Sequence, residues 1–133
     1  MNYCIKSLAV RHKLIHDRNT FFRGLQEFNQ EAFFEAHETL EDVWREAVGC
    51  QKPFLQALIQ ASVAFHHFTQ GNAVGTRSLL GKSAQTLTDY PDIFGGIDVL
   101  ALRQSIAEWQ RALAENLMPP AFPKLQPPSE TPD

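Results

Sequence analysis

The sequence predicts an all-α protein, with about five helices bundled around a central, apolar third helix and a proline-rich tail after them. Three observations carry this expectation. Apolar residues recur at helical spacing in each stretch between turn-forming residues. The stretch from Phe54 to Gln70 holds no charged residue and is apolar on nearly every face, the mark of a helix surrounded by others. No alternating strand pattern runs beyond a few residues, and no internal repeat is visible.

The elements follow in order. Asn19 or Thr20 is placed to cap a first helix, in which Phe21, Leu25 and Phe28 share a face. Asn29 reads as the cap of a second helix over about Gln30 to Val48, with Glu31 and Glu35 near its positive N-terminal end and Gly49 closing it. Pro53 suits the first turn of the third helix, which runs to about Gln70 and is closed by Gly71. Asn72 can cap a fourth helix ending near Tyr90, and Pro91 with Gly95–Gly96 makes the next break. Asp98 caps a fifth, where Val99, Leu102, Ile106, Trp109 and Leu113 form one stripe. From Met118 onward six prolines favour an extended or disordered tail. Residues 1–117 therefore read as one helical domain and 118–133 as its tail.

Composition narrows the function classes. A length of 133 residues fits one domain. Ten phenylalanines against two tyrosines suggest a core of rings that need no polar partner. A net charge of −3 gives no basic footprint, so nucleic acid is not an expected partner. No apolar run approaches the roughly 18 residues of a membrane span, and the start lacks a signal-peptide core, so no membrane partner is expected and the expected location is the cytoplasm. Cys4 and Cys50 have no CxxC spacing and read as idle thiols. Ser62 in mid-helix and Cys50 at a helix end offer no activated nucleophile. Charge is uneven: Lys6, Arg11, Lys13, Arg18 and Arg23 precede an acidic run of Glu27, Glu31, Glu35, Glu38, Glu41, Asp42 and Glu46. Two solvated faces explain this, as does docking of the basic start on the acidic helix.

One polar stripe stands out. On the third helix Gln56, Gln60, Val63 and His67 line up at i, i+4, i+7 and i+11. The second helix is expected to turn Phe33, His37, Leu40, Trp44 and Val48 inward, with Glu41 at the edge and one turn from His37. An antiparallel pairing of these helices brings His37 toward the His67 end and Trp44 toward Gln56. The expected result is a buried polar cluster of His37, Glu41, Gln56, Gln60 and His67, with Glu38 outside, Trp44 nearby and Asn72 joining from the next turn.

The runs FNQEAFFEAHETLEDVWR at 28–45, FLQALIQASVAFHHFTQGN at 54–72 and GIDVL at 96–100 resemble the domain of unknown function family 309, small bacterial and archaeal helical proteins. The resemblance covers about residues 21–110. It implies an all-α bundle and brings no established activity with it. Thr69 and Gln70 stand before Gly71 where relatives carry basic residues.

Three readings of the cluster compete. It fixes helix register as a satisfied network. It lines a binding site for a small-molecule ligand, or a homodimer face that includes Phe34. Or His37-Glu38-Thr39-Leu40-Glu41, an HExxE run, belongs to a metal-dependent hydrolase-like enzyme. There His37, Glu41 and His67 hold a divalent metal and Glu38 serves as base, by comparison with HExxH. Glu38 points about 100° away from His37 on the helix, which weakens that comparison. The expectation is a structural or binding module with no cofactor and no assignable activity.

Overall fold

A computed structural model describes residues 16–128. The chain forms α1 (Arg18–Asn29), α2 (Phe33–Glu46), α3 (Gln51–Thr69), α4 (Ala73–Leu87), a hairpin of β1 (Ile93–Phe94) and β2 (Ile97–Asp98), and α5 (Val99–Ala114). Residues 117–128 follow without helix or strand. Most of the basic start lies outside the described residues, and the docking expected of it on α2 lies outside them too. Among the described residues no helix is long and apolar enough to cross a membrane.

The third helix is central. Nine of its residues are buried, among them Phe54, Leu58, Ser62 and Phe65. The Phe65 ring lies 6.1 Å from Phe28 of α1, 5.5 Å from Phe33 of α2 and 5.0 Å from Trp109 of α5. Ser83 of α4 donates to the Ala57 carbonyl at 2.8 Å. So α3 touches every other helix. Full burial of a ring such as Phe65 contributes about 1.5–3 kcal/mol relative to leaving it exposed.

Helix ends show where local signals hold. Asn72 Oδ1 accepts from the Gly75 N–H at 2.9 Å and Asp98 Oδ1 from the Ala101 N–H at 2.9 Å, as expected of caps. Gly71 takes φ +79° and ends α3 in a left-handed turn. Gly95 and Gly96, at φ +62° and +78°, make the two-residue turn of the hairpin. The first two caps differ from expectation. Asp17 caps α1, not Asn19 or Thr20; the Thr20 N–H at 3.1 Å holds its carboxyl below the usual range. Asn29 does not cap α2. Glu31 adopts φ +66°, and the Ala32 N–H returns to the Glu27 carbonyl at 2.9 Å. This closed turn ends α1 with a glutamate where glycine is usual, and α2 starts later than the sequence suggests.

The buried face of α2 also differs. Phe33, Ala36, Thr39, Leu40 and Val43 are buried, His37 and Trp44 sit half-buried on the flank, and Val48 is 75% exposed. The cause is that α2 is covered from two sides. Gly24 lets α1 approach so closely that a Cβ there would lie 2.8 Å from Leu40 Cδ2, while α3 packs on the other side. The buried arc therefore centres between the two neighbours.

The proline-rich tail is docked as far as it is described. Leu125 is 2% exposed, and Phe122 stacks on Trp109 with centroids 5.1 Å apart. Cys50, expected as an idle thiol, is disulfide-bonded and stands at the N-terminal cap of α3.

Candidate functional site

Two contacts set α2 against α3. Lys52 Nζ of α3 lies 4.1 Å over the Trp44 ring and donates to the Trp44 carbonyl at 2.9 Å. At the other end Phe34 of α2 meets His66 of α3 at 5.4 Å between ring centroids. The helices are thus antiparallel, as expected. On its other side α3 meets α4 through Ser83 and Ala57, and through Gly75, where a Cβ would lie 2.8 Å from His67 Cδ2. At about 100° per residue, Gln56, Gln60 and Val63 fall between the α2-facing Lys52 and the α4-facing Ala57. The polar stripe is therefore the floor of a crevice on α3, walled by α2 and α4.

This crevice is open. Gln56, Gln60, Val63 and His67 are half-buried, as are His37, Glu41 and Trp44, while Glu38 and Asn72 are exposed. The expected sealed layer is not what forms, because α1 and α5 cover the opposite face of α3 through Phe28, Phe65 and Trp109. Nor do its members bond one another as expected. His37 does not turn to Glu41; its Nδ1 bonds to the Phe34 carbonyl at 2.8 Å. Glu41 pairs with Arg45 at 3.8 Å. Among the described residues no three His, Cys, Asp or Glu side chains are gathered to hold a metal ion. His37, Glu41 and His67 therefore do not form the ligand set that the HExxE comparison requires.

One pair of the eight is joined. Asn72 Nδ2 donates to His67 Nδ1 at 3.3 Å while its Oδ1 caps α4. This contact fits the His67 tautomer in which Nδ1 accepts and Nε2 donates. His37 is the converse: Nδ1 must donate to a carbonyl, so the tautomer that fits has its acceptor at Nε2. The two rings thus carry opposite hydrogen-bonding edges. Between them along α3, Gln60 Oε1 is buried with no hydrogen-bond partner.

Sequence reasoning missed three contributors, His66, Lys52 and Gly75, and placed Phe34 only on a homodimer face. His66 and Phe34 belong to one ring cluster with His37, the Phe34–His37 centroids lying 5.0 Å apart. His66 had a signal, since it stands one residue from His67 on the side that must face α2. Lys52 could be found from the short connection between Trp44 and α3. Gly75 makes room for the His67 ring. Ser62 spends its hydroxyl locally, donating to the Leu58 carbonyl at 2.9 Å. A separate surface concavity of about 440 Å³, bordered by Glu108, Arg111 and Met118, contains none of the eight residues.

Comparison with known proteins finds similarity over the segment that carries these residues. The family model described as Domain of unknown function (DUF309) matches residues 21–79, a span that includes all eight residues. An uncharacterized protein of Aquifex aeolicus is 31% identical over 85 residues, covering 61% of this chain and 25% of the relative. The chain thus spans about a quarter of the length of the curated relative it matches.

Proposed function

We propose that the helical body of this chain, which the DUF309 model matches over residues 21–79, is a binding module whose receptor face is the α2–α3–α4 crevice. The observation that carries this reading is Gln60 Oε1, an acceptor withdrawn from water and left without a donor. A buried unpaired polar atom costs about 1–3 kcal/mol. Such a cost is retained where a ligand supplies the missing partner. The fitting ligand is a small molecule that presents an N–H or O–H donor to Gln60. Around it, His37 Nε2 accepts and His67 Nε2–H donates, and the Trp44 ring under Lys52 closes one end. A satisfied network fixing helix register is the weaker reading, because the side chains of His37, Glu41 and Asn72 bond within their own helix or turn. Nucleic acid and membrane are not proposed as partners, and no cofactor is invoked.

The test is a titration of isotope-labelled protein with small guanidines, primary amides and aminopyridines, followed by NMR. The expected result is shifts confined to signals of α2, α3 and the start of α4, lost in Gln60→Leu. Shifts that map elsewhere, or that survive Gln60→Leu, contradict the proposal. Sedimentation at rising concentration separates a small ligand from a second copy: a dimer dissociated by Gln60→Arg would give the crevice to the homodimer.

A further inference from the structure

The tail is held in the manner of a bound peptide. Four hydrogen bonds from the body reach its main chain. Trp109 Nε1 donates to the Ala121 carbonyl at 3.1 Å, and the Asp98 N–H to the Gln126 carbonyl at 2.8 Å. The Asn29 side chain accepts from the Leu125 N–H at 2.7 Å and donates to the Leu125 carbonyl at 3.0 Å. Two side chains fill the groove three residues apart. Phe122 stacks on Trp109 and meets Phe33 at 4.9 Å, Phe65 at 5.3 Å and Phe68 at 6.2 Å. Leu125 is buried to 2% exposure. Main-chain hydrogen bonds for affinity and spaced side-chain pockets for specificity are how an extended peptide is read. Pro119, Pro120, Pro123, Pro127 and Pro128 stiffen the segment and lower the entropy lost on docking.

Between α5 and Ala121 the chain passes through Asn116 at φ +57° and through Leu117 and Met118, which are 50% and 88% exposed. Lys124 adds one outward contact, donating to the Asn29 carbonyl at 2.8 Å.

We propose that the groove between Asn29, Trp109 and the Phe33–Phe65 rings is a docking site for an extended, proline-flanked peptide of the pattern aromatic–Pro–X–Leu from a partner protein, and that residues 121–126 occupy it in cis. A tethered segment competes at high effective concentration, so a partner's peptide binds weakly until the strap is loosened.

The probe is a fluorescent peptide of residues 118–128, added to the full chain and to its F122A/L125A variant. The expected result is one-to-one binding to the variant with a Kd at least tenfold lower than to the wild type, and none by the same peptide carrying F122A. A variant that keeps its helical circular dichroism yet does not bind overturns the proposal. Hydrogen exchange of the wild-type chain covers the case in which the variant unfolds. The Trp109 indole and the Leu125 amide must exchange at least tenfold faster than the Leu58 and Phe65 amides. Exchange at a common, global rate makes the tail a fixed part of the core and overturns the proposal. So does a concentration-dependent wild-type dimer abolished by F122A, which gives the groove to a second copy.

Discussion

The side chain of Asn29 grips the peptide unit of Leu125 from both sides, accepting at 2.7 Å and donating at 3.0 Å across 96 residues of sequence. It joins the end of α1 to the tail at a part-buried position. Asn29→Asp keeps the acceptor and sets a carboxylate oxygen against the Leu125 carbonyl. The expected loss is about 1–3 kcal/mol. It should appear as a lower urea midpoint at unchanged slope. An unchanged midpoint would show that the grip contributes nothing.

Backbone positions make opposite-signed predictions. Gly24→Ala brings a Cβ to 2.8 Å from Leu40 Cδ2 and 3.0 Å from Cγ, inside a helix pair with no room. It should destabilise by about 1–3 kcal/mol despite the better helix propensity of alanine. A Cβ at Gly81 meets nothing within 4 Å, so Gly81→Ala should stabilise by about 0.5–1 kcal/mol. Glu31→Gly relieves the φ +66° of a non-glycine residue and should stabilise by up to about 1–2 kcal/mol. Equilibrium denaturation of the three variants checks the order of signs.

Tyr90 sets an alkaline limit. Burial, with the Asp89 carboxylate adding to it, pushes its phenol up to about 12 from an ordinary 10.0. Its hydroxyl donates to the Cys50 carbonyl at 2.6 Å. Above pH 10 the unfolded chain loses this proton while the folded chain keeps it, so the folded state binds more protons and stability falls with rising pH. The contribution is whole below pH 10 and is lost as pH rises toward 12. The wild type should therefore lose stability more steeply than Tyr90→Phe across that window. Parallel curves would contradict the assignment.

Much of the fold was legible because its signals are local. Gly71, Asn72, Gly95–Gly96 and Asp98 act where chain geometry demands a left-handed residue or a cap, and the charge-free run from Phe54 to Gln70 marks its own burial. The misread places are those decided by distant partners. Asn29 looked like a cap but is committed to Leu125, and Glu31 holds a glycine's place in a turn. The inward face of α2 was misread because Gly24 admits α1 beside α3. For the site, the stripe Gln56, Gln60, His67 was visible from its spacing. Its openness was not, since which side of a central helix stays uncovered depends on where α1 and α5 settle. The tail's composition foretold its lack of helix, but its docking needed Trp109 and Asn29 together in space.

The central claim is that Gln60 is kept for a ligand and not for folding. Chemical denaturation of Gln60→Leu in the absence of any ligand tests it most directly. Leucine ends one bond short of the amide's tip and removes the unpartnered oxygen, so the account predicts a more stable protein, by about 1 kcal/mol or more. A Gln60→Leu protein less stable than the wild type by a similar amount would show that the amide supports the fold, and the crevice would lose its role as a receptor.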